Sequence, residues 1–314
     1  MTATTARAAM TAADRAANPR TRRARMRKKK SWQSRAILNL LLGIGALTMI
    51  VPFLWMVVTS LKSPAELAQF PPTLWPQEWR WSNYSEALRA APFHLYFRNS
   101  LLISVGHTVM TLTLASMAGY ALARIPFKGR ELIFMSFVAM LMIPTYTKIV
   151  PQFLIVKFMP LFGGNDLLGQ GGIGWLNSWW ALIIPGGLSA SAIFLFRQFY
   201  LSLPKELEEA ARLDGLGEFR IFAQIYTPLI KPAVATVGLL TFQESWNNFL
   251  WPLLVTTRDD LRVIQVGLAV FQQLESTSWH YLMAGTTLAT IPMVLLFLFC
   301  QRYFVEGFTH AGIK

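Results

Sequence analysis

Residues 100–123 read SLLISVGHTVMTLTLASMAGYALA, a run of 24 residues without one Asp, Glu, Lys or Arg. A helix of about 20 residues rising 1.5 Å each spans the roughly 30 Å of bilayer hydrocarbon, where backbone groups must find partners inside their own segment. The run reads as a membrane-crossing helix. Working outward, five more windows fit the same template: Ala36 to Thr59, Leu132 to Phe153, Trp179 to Phe199, Leu229 to Val255 and Tyr281 to Phe304. The expected fold is therefore an all-α membrane protein with six transmembrane helices. Pro52, Pro144, Pro185 and Pro292 fall inside windows and predict kinks.

Composition agrees, since 54% hydrophobic and 14% charged residues lie outside the balance of a soluble globular chain. The net charge of +13 is concentrated at the start, where residues 1–35 hold 11 of the 29 basic residues against a single acid, Asp14. The charge thus describes a tail, and it gives no ground for nucleic-acid binding. Two segments follow: a basic tail over residues 1–34, expected to be cytoplasmic and disordered, and a transmembrane domain over 35–314. The first window is too long for a secretory signal, and Leu61-Lys62-Ser63-Pro64 after it lacks a small-residue cleavage pattern, so it reads as an uncleaved span. The Arg- and Ala-rich, acid-poor tail keeps a mitochondrial transit peptide open as the alternative. Cys300 is the only cysteine and forms no internal disulfide.

Lys and Arg collect on the cytoplasmic side of membrane proteins. With six spans and the amino terminus inside, 21 of the 29 basic residues fall on inner segments and 8 on outer ones. Both termini are expected in the cytoplasm, together with the connection from about Tyr200 to Pro228 between spans four and five. The outer connection from Lys62 to Asn99 carries Pro71-Pro72, Trp75, Trp79 and Trp81. It reads as an interfacial aromatic belt or as a docking surface for an extracytoplasmic partner. Asn83-Tyr84-Ser85 matches a glycosylation sequon, a pattern short enough to arise by chance.

The 200–228 connection is longer than crossing the surface requires, and it carries helix signals. Ser202 reads as the N-cap, Pro204 fits the first turn, and Glu206, Glu208 and Glu209 set negative charge at the positive end of the helix dipole. Gly215 supplies a left-handed C-cap. Leu203, Leu207, Ala210 and Ala211 share a narrow face of small and apolar side chains, and Phe219, Phe222, Ala223 and Tyr226 repeat at helical spacing beyond it. Physical reading alone leaves two roles open: an amphipathic helix pair resting on headgroups, or a contact for a partner.

Glu209-Ala210-Ala211, Gly215, Ile225 and Pro228 resemble the motif of the membrane subunits of binding-protein-dependent ABC importers, which is Glu-Ala-Ala, three residues, Gly, nine residues, Ile-x-Leu-Pro. Thr227 stands where that family usually has Leu. Asn99-Ser100, Trp246-Asn247-Asn248-Phe249 and Gln301-Arg302-Tyr303-Phe304-Val305 resemble the maltose and multiple-sugar subclass. The resemblance implies that the loop is a coupling helix seated in a cytoplasmic ATPase. Glu209 would meet a basic residue there, Ala210 and Ala211 would allow close seating, Gly215 would allow the sharp turn, and Asp214 belongs to the same ATPase-coupling set. It further implies a second permease subunit, a dimer of ATPase subunits that bind ATP and Mg, an extracytoplasmic solute-binding protein, and a bacterial or archaeal plasma membrane. Ala311-Gly312-Ile313-Lys314 also resembles the tail that enters the ATPase dimer interface in maltose-type subunits; a frayed terminus is the other reading.

The chain has no Gly-x-x-x-x-Gly-Lys-Ser/Thr loop, so ATP hydrolysis is expected from another chain, with no cofactor or metal held in this one. Gly169-Gln170-Gly171-Gly172-Ile173-Gly174 matches a dinucleotide fingerprint literally but lacks the strand and βαβ context, and it reads as a flexible loop. His94, His107, His280 and His310 are scattered without metal-ligand spacing. Glu244 lies inside an apolar window, where a charge costs about 2.5–3.5 kcal/mol or more. With Gln243, Trp246, Asn247 and Asn248 it reads either as a polar patch with an aromatic platform for a solute or as a structural network between spans. The resemblance favours import of a sugar or related polyhydroxylated solute, with glycerol phosphates and polyols as alternatives. A secondary transporter and a membrane scaffold remain the rivals from other classes; a secondary transporter should carry inverted repeats and several intramembrane ionisable groups.

Overall fold

The computed structural model describes residues 19–272 and 277–311, with side chains over 34–272 and 277–301. Most of the basic tail and the last three residues lie outside the described residues. Among the described residues the regular elements are helical. The chain divides into two compact units, Met1–Val58 and Thr59–Lys314.

The described part of the first unit is one helix, α1 (Pro19–Ser60), which runs on to the start of the second. Its apolar side chains, among them Leu40, Leu47, Met49 and Phe53, are exposed along its length. The second unit is built around α3 (Phe93–Arg124), the helix that contains the 100–123 run. Before it comes α2 (Ser82–Ala90), and after it the pair α4 (Arg130–Leu141) and α5 (Thr145–Lys157). Then follow α6 (Trp179–Ile183), α7 (Ala190–Ser202), α8 (Glu206–Leu213) and α9 (Glu218–Leu229). The chain closes with α10 (Lys231–Trp246), α11 (Leu250–Val255), α12 (Ile264–Leu268) and α13 (Trp279–Ala311).

Among the described residues, three helices, Ser34–Ser60, Phe93–Arg124 and Trp279–Gln301, are long and apolar enough to cross a membrane, or up to 5 segments if each of two bent pairs is one span. The six windows are therefore not six straight rods. The third folds by 108° between α4 and α5, with Pro144 as the N-cap of α5. In the fourth, α6 and α7 are separated by residues 184–189, where Pro185 is followed by Gly186 at φ +92°. The fifth is broken at residues 247–249 between α10 and α11. By contrast, helix runs unbroken through Pro52 and Pro292. A lone proline removes a single backbone hydrogen bond, which a long helix tolerates; a proline beside glycine or at a cap ends it.

Apolar burial drives little helix association in lipid, so close approach and hydrogen bonds matter more. Helix α3 packs against α7 so tightly that a Cβ on Gly119 would stand 2.7 Å from Phe196 Cβ. Trp246 Nε1 donates to the Ala289 carbonyl of α13 (3.0 Å), and Trp251 Nε1 to the Ala181 carbonyl of α6 (2.8 Å). At the start of α3, Asn99 Nδ2 donates to the carbonyls of Asp260 (2.8 Å) and Arg262 (3.0 Å), while Ser100 Oγ accepts from the Ile264 amide (2.8 Å). These bonds tie the opening of α3 to α12. The glycine-rich segment is hydrogen-bonded rather than loose: Asn165 Nδ2 donates to the Lys157 and Met159 carbonyls and its Oδ1 accepts from the Gly172 amide.

Candidate functional site

The 200–228 connection sits at the Arg124 end of α3. Ser202 does not cap α8; it is the last residue of α7, and its hydroxyl donates to the Phe199 carbonyl (2.7 Å). The N-cap of α8 is Lys205, which makes no side-chain cap bond, so the acidic first turn of Glu206, Glu208 and Glu209 is what complements the dipole. The other end follows the sequence closely. Gly215 has φ +81°, its amide donates to the Arg212 carbonyl (3.0 Å), and the Leu216 amide donates to the Ala211 carbonyl (3.0 Å). This is a Schellman turn, with Leu216 and Ala211 in one apolar cluster.

Helix α9 departs from simple periodicity, because residues 221–226 form a π-helical turn. One extra residue in the turn brings Ile221 and Tyr226, five apart, into the core together, while Phe219 and Ala223 of the expected face are exposed. Thr227 Oγ1 donates to the Phe222 carbonyl five residues back (2.8 Å).

Charged and aromatic groups fasten this loop to the helices around it. Arg124, at the end of α3, donates through Nη2 to the carbonyls of Tyr200 and Leu203 (2.5 Å each) and through Nε to Tyr200 (3.1 Å). Its guanidinium lies 4.9 Å from the centroid of Tyr226 and 3.9 Å from Glu208 Oε2. Tyr226 Oη donates to the same Glu208 oxygen (3.2 Å), so a buried carboxylate on α8 meets groups from α3 and α9. On the outer side of the pair, Arg212 bonds Glu218 (2.8 Å), which also accepts from Tyr120 Oη (3.0 Å). Its hydrogen bond to that carboxylate raises the Arg212 pKa above its ordinary value. Nearby, Arg197 makes a forked bond to Glu131 (2.9 and 3.0 Å) and lies 3.8 Å over the Phe134 ring. A hinge that hung free would need none of these contacts.

The predicted residues divide on this frame. Glu209, Ala210, Asp214 and Gly215 are exposed on α8 and its turn. Ala211 is only 4% exposed and packs into its own chain, so the close-seating role expected of both alanines is left to Ala210. Leu213, beside them, is 89% exposed. Glu208, Arg124 and Leu213 were not singled out by spacing: the first looks like any acid in an acidic turn, and the second like any inner-loop cation.

The second group lies at the break between α10 and α11. Gln243, Glu244 and Asn247 are exposed and Asn248 is half-buried, whereas Trp246 is 1% exposed, stacked on Phe242 and bonded to Ala289. Trp246 is thus a core residue and no open platform, because its indole N–H finds its partner inside the bundle. Among the described residues, the Glu244 carboxylate has no hydrogen-bond or ion-pair partner. Asn247 caps α10 and accepts from Gln265 Nε2 (3.3 Å), and Asn248 Oδ1 accepts the Trp251 amide that opens α11 (3.2 Å). Two bonds, Trp251 to Ala181 and the Asn177 amide to the Val255 carbonyl (2.9 Å), align α11 antiparallel to α6. That register sets the 247–249 break level with the 184–189 break, where His107 Nδ1 donates to the freed Ile183 carbonyl (2.9 Å).

Residues 111–310 match the family model described as binding-protein-dependent transport system inner membrane component. The chain belongs to this family. It is 36% identical to the arabinooligosaccharides transport system permease protein AraQ of Halalkalibacterium halodurans, over 88% of this chain and 97% of that protein. It is 32% identical to the sn-glycerol-3-phosphate transport system permease protein UgpE of Yersinia enterocolitica, over 86% of this chain and 94% of that one. Among solved structures it matches a chain from a bacterial ABC transporter involved in import of the acidic polysaccharide alginate, with TM-score 0.72, 26% identity and coverage of 87% of this chain and 98% of that chain. As a permease of this family, the protein is integral to the membrane. The family match spans both the α8 loop and the paired helix breaks.

Proposed function

We propose that this permease carries a sugar or related polyhydroxylated solute inward, and that α8 couples its spans to ATP hydrolysis in a separate ATPase. The observation that carries the reading is an exposed Glu209, Ala210 and Gly215 surface on a helix whose other side is locked to α3 and α9 through Arg124, Glu208 and Tyr226. Such a helix transmits displacement instead of absorbing it. In this reading the chain crosses the membrane six times with both termini and α8 in the cytoplasm, α6 and α7 together making the fourth crossing. A second permease, two ATPase subunits and an extracytoplasmic binding protein complete the complex. The names of the relatives support sugars and sugar-like solutes, AraQ for arabinooligosaccharides and UgpE for glycerol 3-phosphate.

Gln243, Glu244 and Asn247, without the buried Trp246, are assigned to the solute path, because hydroxyl-rich solutes need acceptors where helices open. The test is uptake into proteoliposomes holding the full complex, with ATP inside. Uptake should require both the ATPase and the binding protein; flux that persists without the ATPase overturns the reading in favour of a secondary transporter. Glu244→Gln should lower uptake about tenfold, the scale of one lost charge-assisted hydrogen bond, with assembly unchanged. Loss of assembly instead would assign Glu244 to a structural network.

A further inference from the structure

We propose that Trp79, Arg80 and Trp81 form a phospholipid headgroup site at the end of the bundle opposite α8. The two indoles are stacked, with centroids 6.3 Å apart and planes 19° from parallel, yet they remain 54% and 65% exposed. The rings are carried on a hydrogen-bonded frame that fixes their place on the chain. The Arg80 amide donates to the Leu61 carbonyl (2.9 Å), and Asn83 Nδ2 donates to the carbonyls of Ser60 (2.8 Å) and Lys62 (2.9 Å). Ser60 is the last residue of α1. On the next turn of chain, Glu86 accepts from Tyr281 Oη (2.7 Å), two residues into α13. The segment is thus pinned at the start of the long apolar helix α13, which opens on a further exposed tryptophan, Trp279.

The start of such a span is the headgroup region, where indole rings concentrate. Arg80, between the two tryptophans in sequence, meets Glu78 at 3.4 Å, its side chain half exposed and that of Glu78 largely so, and Glu86 lies within electrostatic reach. Such a pair holds weakly in water, so the guanidinium is available to a phosphate, whose oxygens its fork can also engage two at a time. Behind the site, buried Glu66 accepts from Thr73 Oγ1 (2.5 Å) and from the Gln77 amide (3.2 Å), and buried Lys62 donates to the Thr73 carbonyl. The approach to the indoles is held by the chain itself. Only the crossing of the bilayer by α13 is required, and neither the solute nor the coupling enters.

The experiment compares the assembled complex in nanodiscs with a Trp79→Phe, Trp81→Phe variant, and takes the difference in tryptophan emission. Both rings are exposed, so the variant should assemble; the single replacements Trp79→Phe and Trp81→Phe serve if it does not. Phospholipid brominated near the headgroup should quench the difference emission about twofold or more, and lipid brominated near the chain terminus much less. Brominated phosphatidylglycerol should win over brominated phosphatidylcholine by about fivefold, the effect of one basic residue near an anionic surface, and that preference should vanish on an Arg80→Gln background. Difference emission that ignores brominated lipid overturns the proposal; if the solute-binding protein then shields it from iodide, the surface is a protein dock. A preference unchanged by Arg80→Gln removes Arg80 from the site.

Discussion

Arg124→Met is expected to lower ATP-driven uptake by tenfold or more while the chain still inserts and pairs with its partner permease. Arg124 donates to two backbone carbonyls, Tyr200 and Leu203, at the point where α7 ends and the connection to α8 begins. A thioether fills much of the volume but donates nothing. It leaves the Leu203 carbonyl without its donor, the Tyr200 carbonyl with only the Leu203 amide (3.3 Å), and Glu208 with Tyr226 and the half-exposed Arg212 as its remaining contacts. Breaking a buried pair typically costs about 3–5 kcal/mol, and the 3.9 Å separation here argues for the lower end. The apolar packing of α3 against α7, with Gly119 against Phe196, is untouched by the substitution, so the spans are expected to stay folded. The loss is enough to detach α8 from α3.

The diagnostic is a mismatch between two readouts. ATPase activity in the complex should persist at a basal rate but lose its response to solute-loaded binding protein. Protease should cut the 203–217 segment in the variant and spare it in the parent. Arg124→Lys should fall between, since an ammonium cannot fork to both carbonyls while lying over the Tyr226 ring. Glu208→Gln should be the mildest, because an amide oxygen still accepts from Tyr226 Oη. Full stimulation by the binding protein in Arg124→Met would show that α8 moves the spans by some other joint.

What could be read from the chain depended on whether a feature was local. The Schellman end of α8 was legible because Gly215, Ala211 and Leu216 lie within one turn and depend only on backbone preference. The first span was legible too, since length and apolarity alone make Ser34–Ser60 a crossing helix. Ser202 was misassigned as a cap because a serine before an acidic turn satisfies the same pattern whether it opens one helix or closes the previous one. Trp246 was misread for a different reason. A tryptophan among Gln, Glu and Asn looks amphipathic in one dimension, and only the Ala289 carbonyl across on α13 shows which way the ring is held. The breaks at 184–189 and 247–249 each carried a local sign, Pro-Gly-Gly in one and Asn-Asn in the other. That they fall at one depth depends on bonds between α6 and α11, which no single segment contains.

Gly215→Val and Glu209→Lys should both uncouple ATP hydrolysis from uptake, through different links. At Gly215 a Cβ would meet nothing within 4 Å, so crowding is irrelevant and the whole effect must come from the backbone at φ +81°. A left-handed conformation costs an L-residue about 1–2 kcal/mol, and a β-branched one sits at the high end. Valine should open the turn, release the Leu216 amide from Ala211 and let the C-terminal half of α8 fray. Asparagine tolerates this conformation, so Gly215→Asn should retain most uptake, which a role for the turn's small size alone would not allow. Glu209 is exposed, and reversing its charge in the first turn should cost the helix only about 0.3–1 kcal/mol through the dipole. If Glu209→Lys nonetheless lowers ATPase association and uptake about tenfold with α8 still protected from protease, the lost contact lies in another chain. A compensating acid on the ATPase should then restore uptake to Glu209→Lys but not to Gly215→Val, because only the first defect is one of charge. Normal uptake in both variants would remove α8 as the coupling element and leave its anchored side, with Arg124 and Glu208, as a purely structural brace.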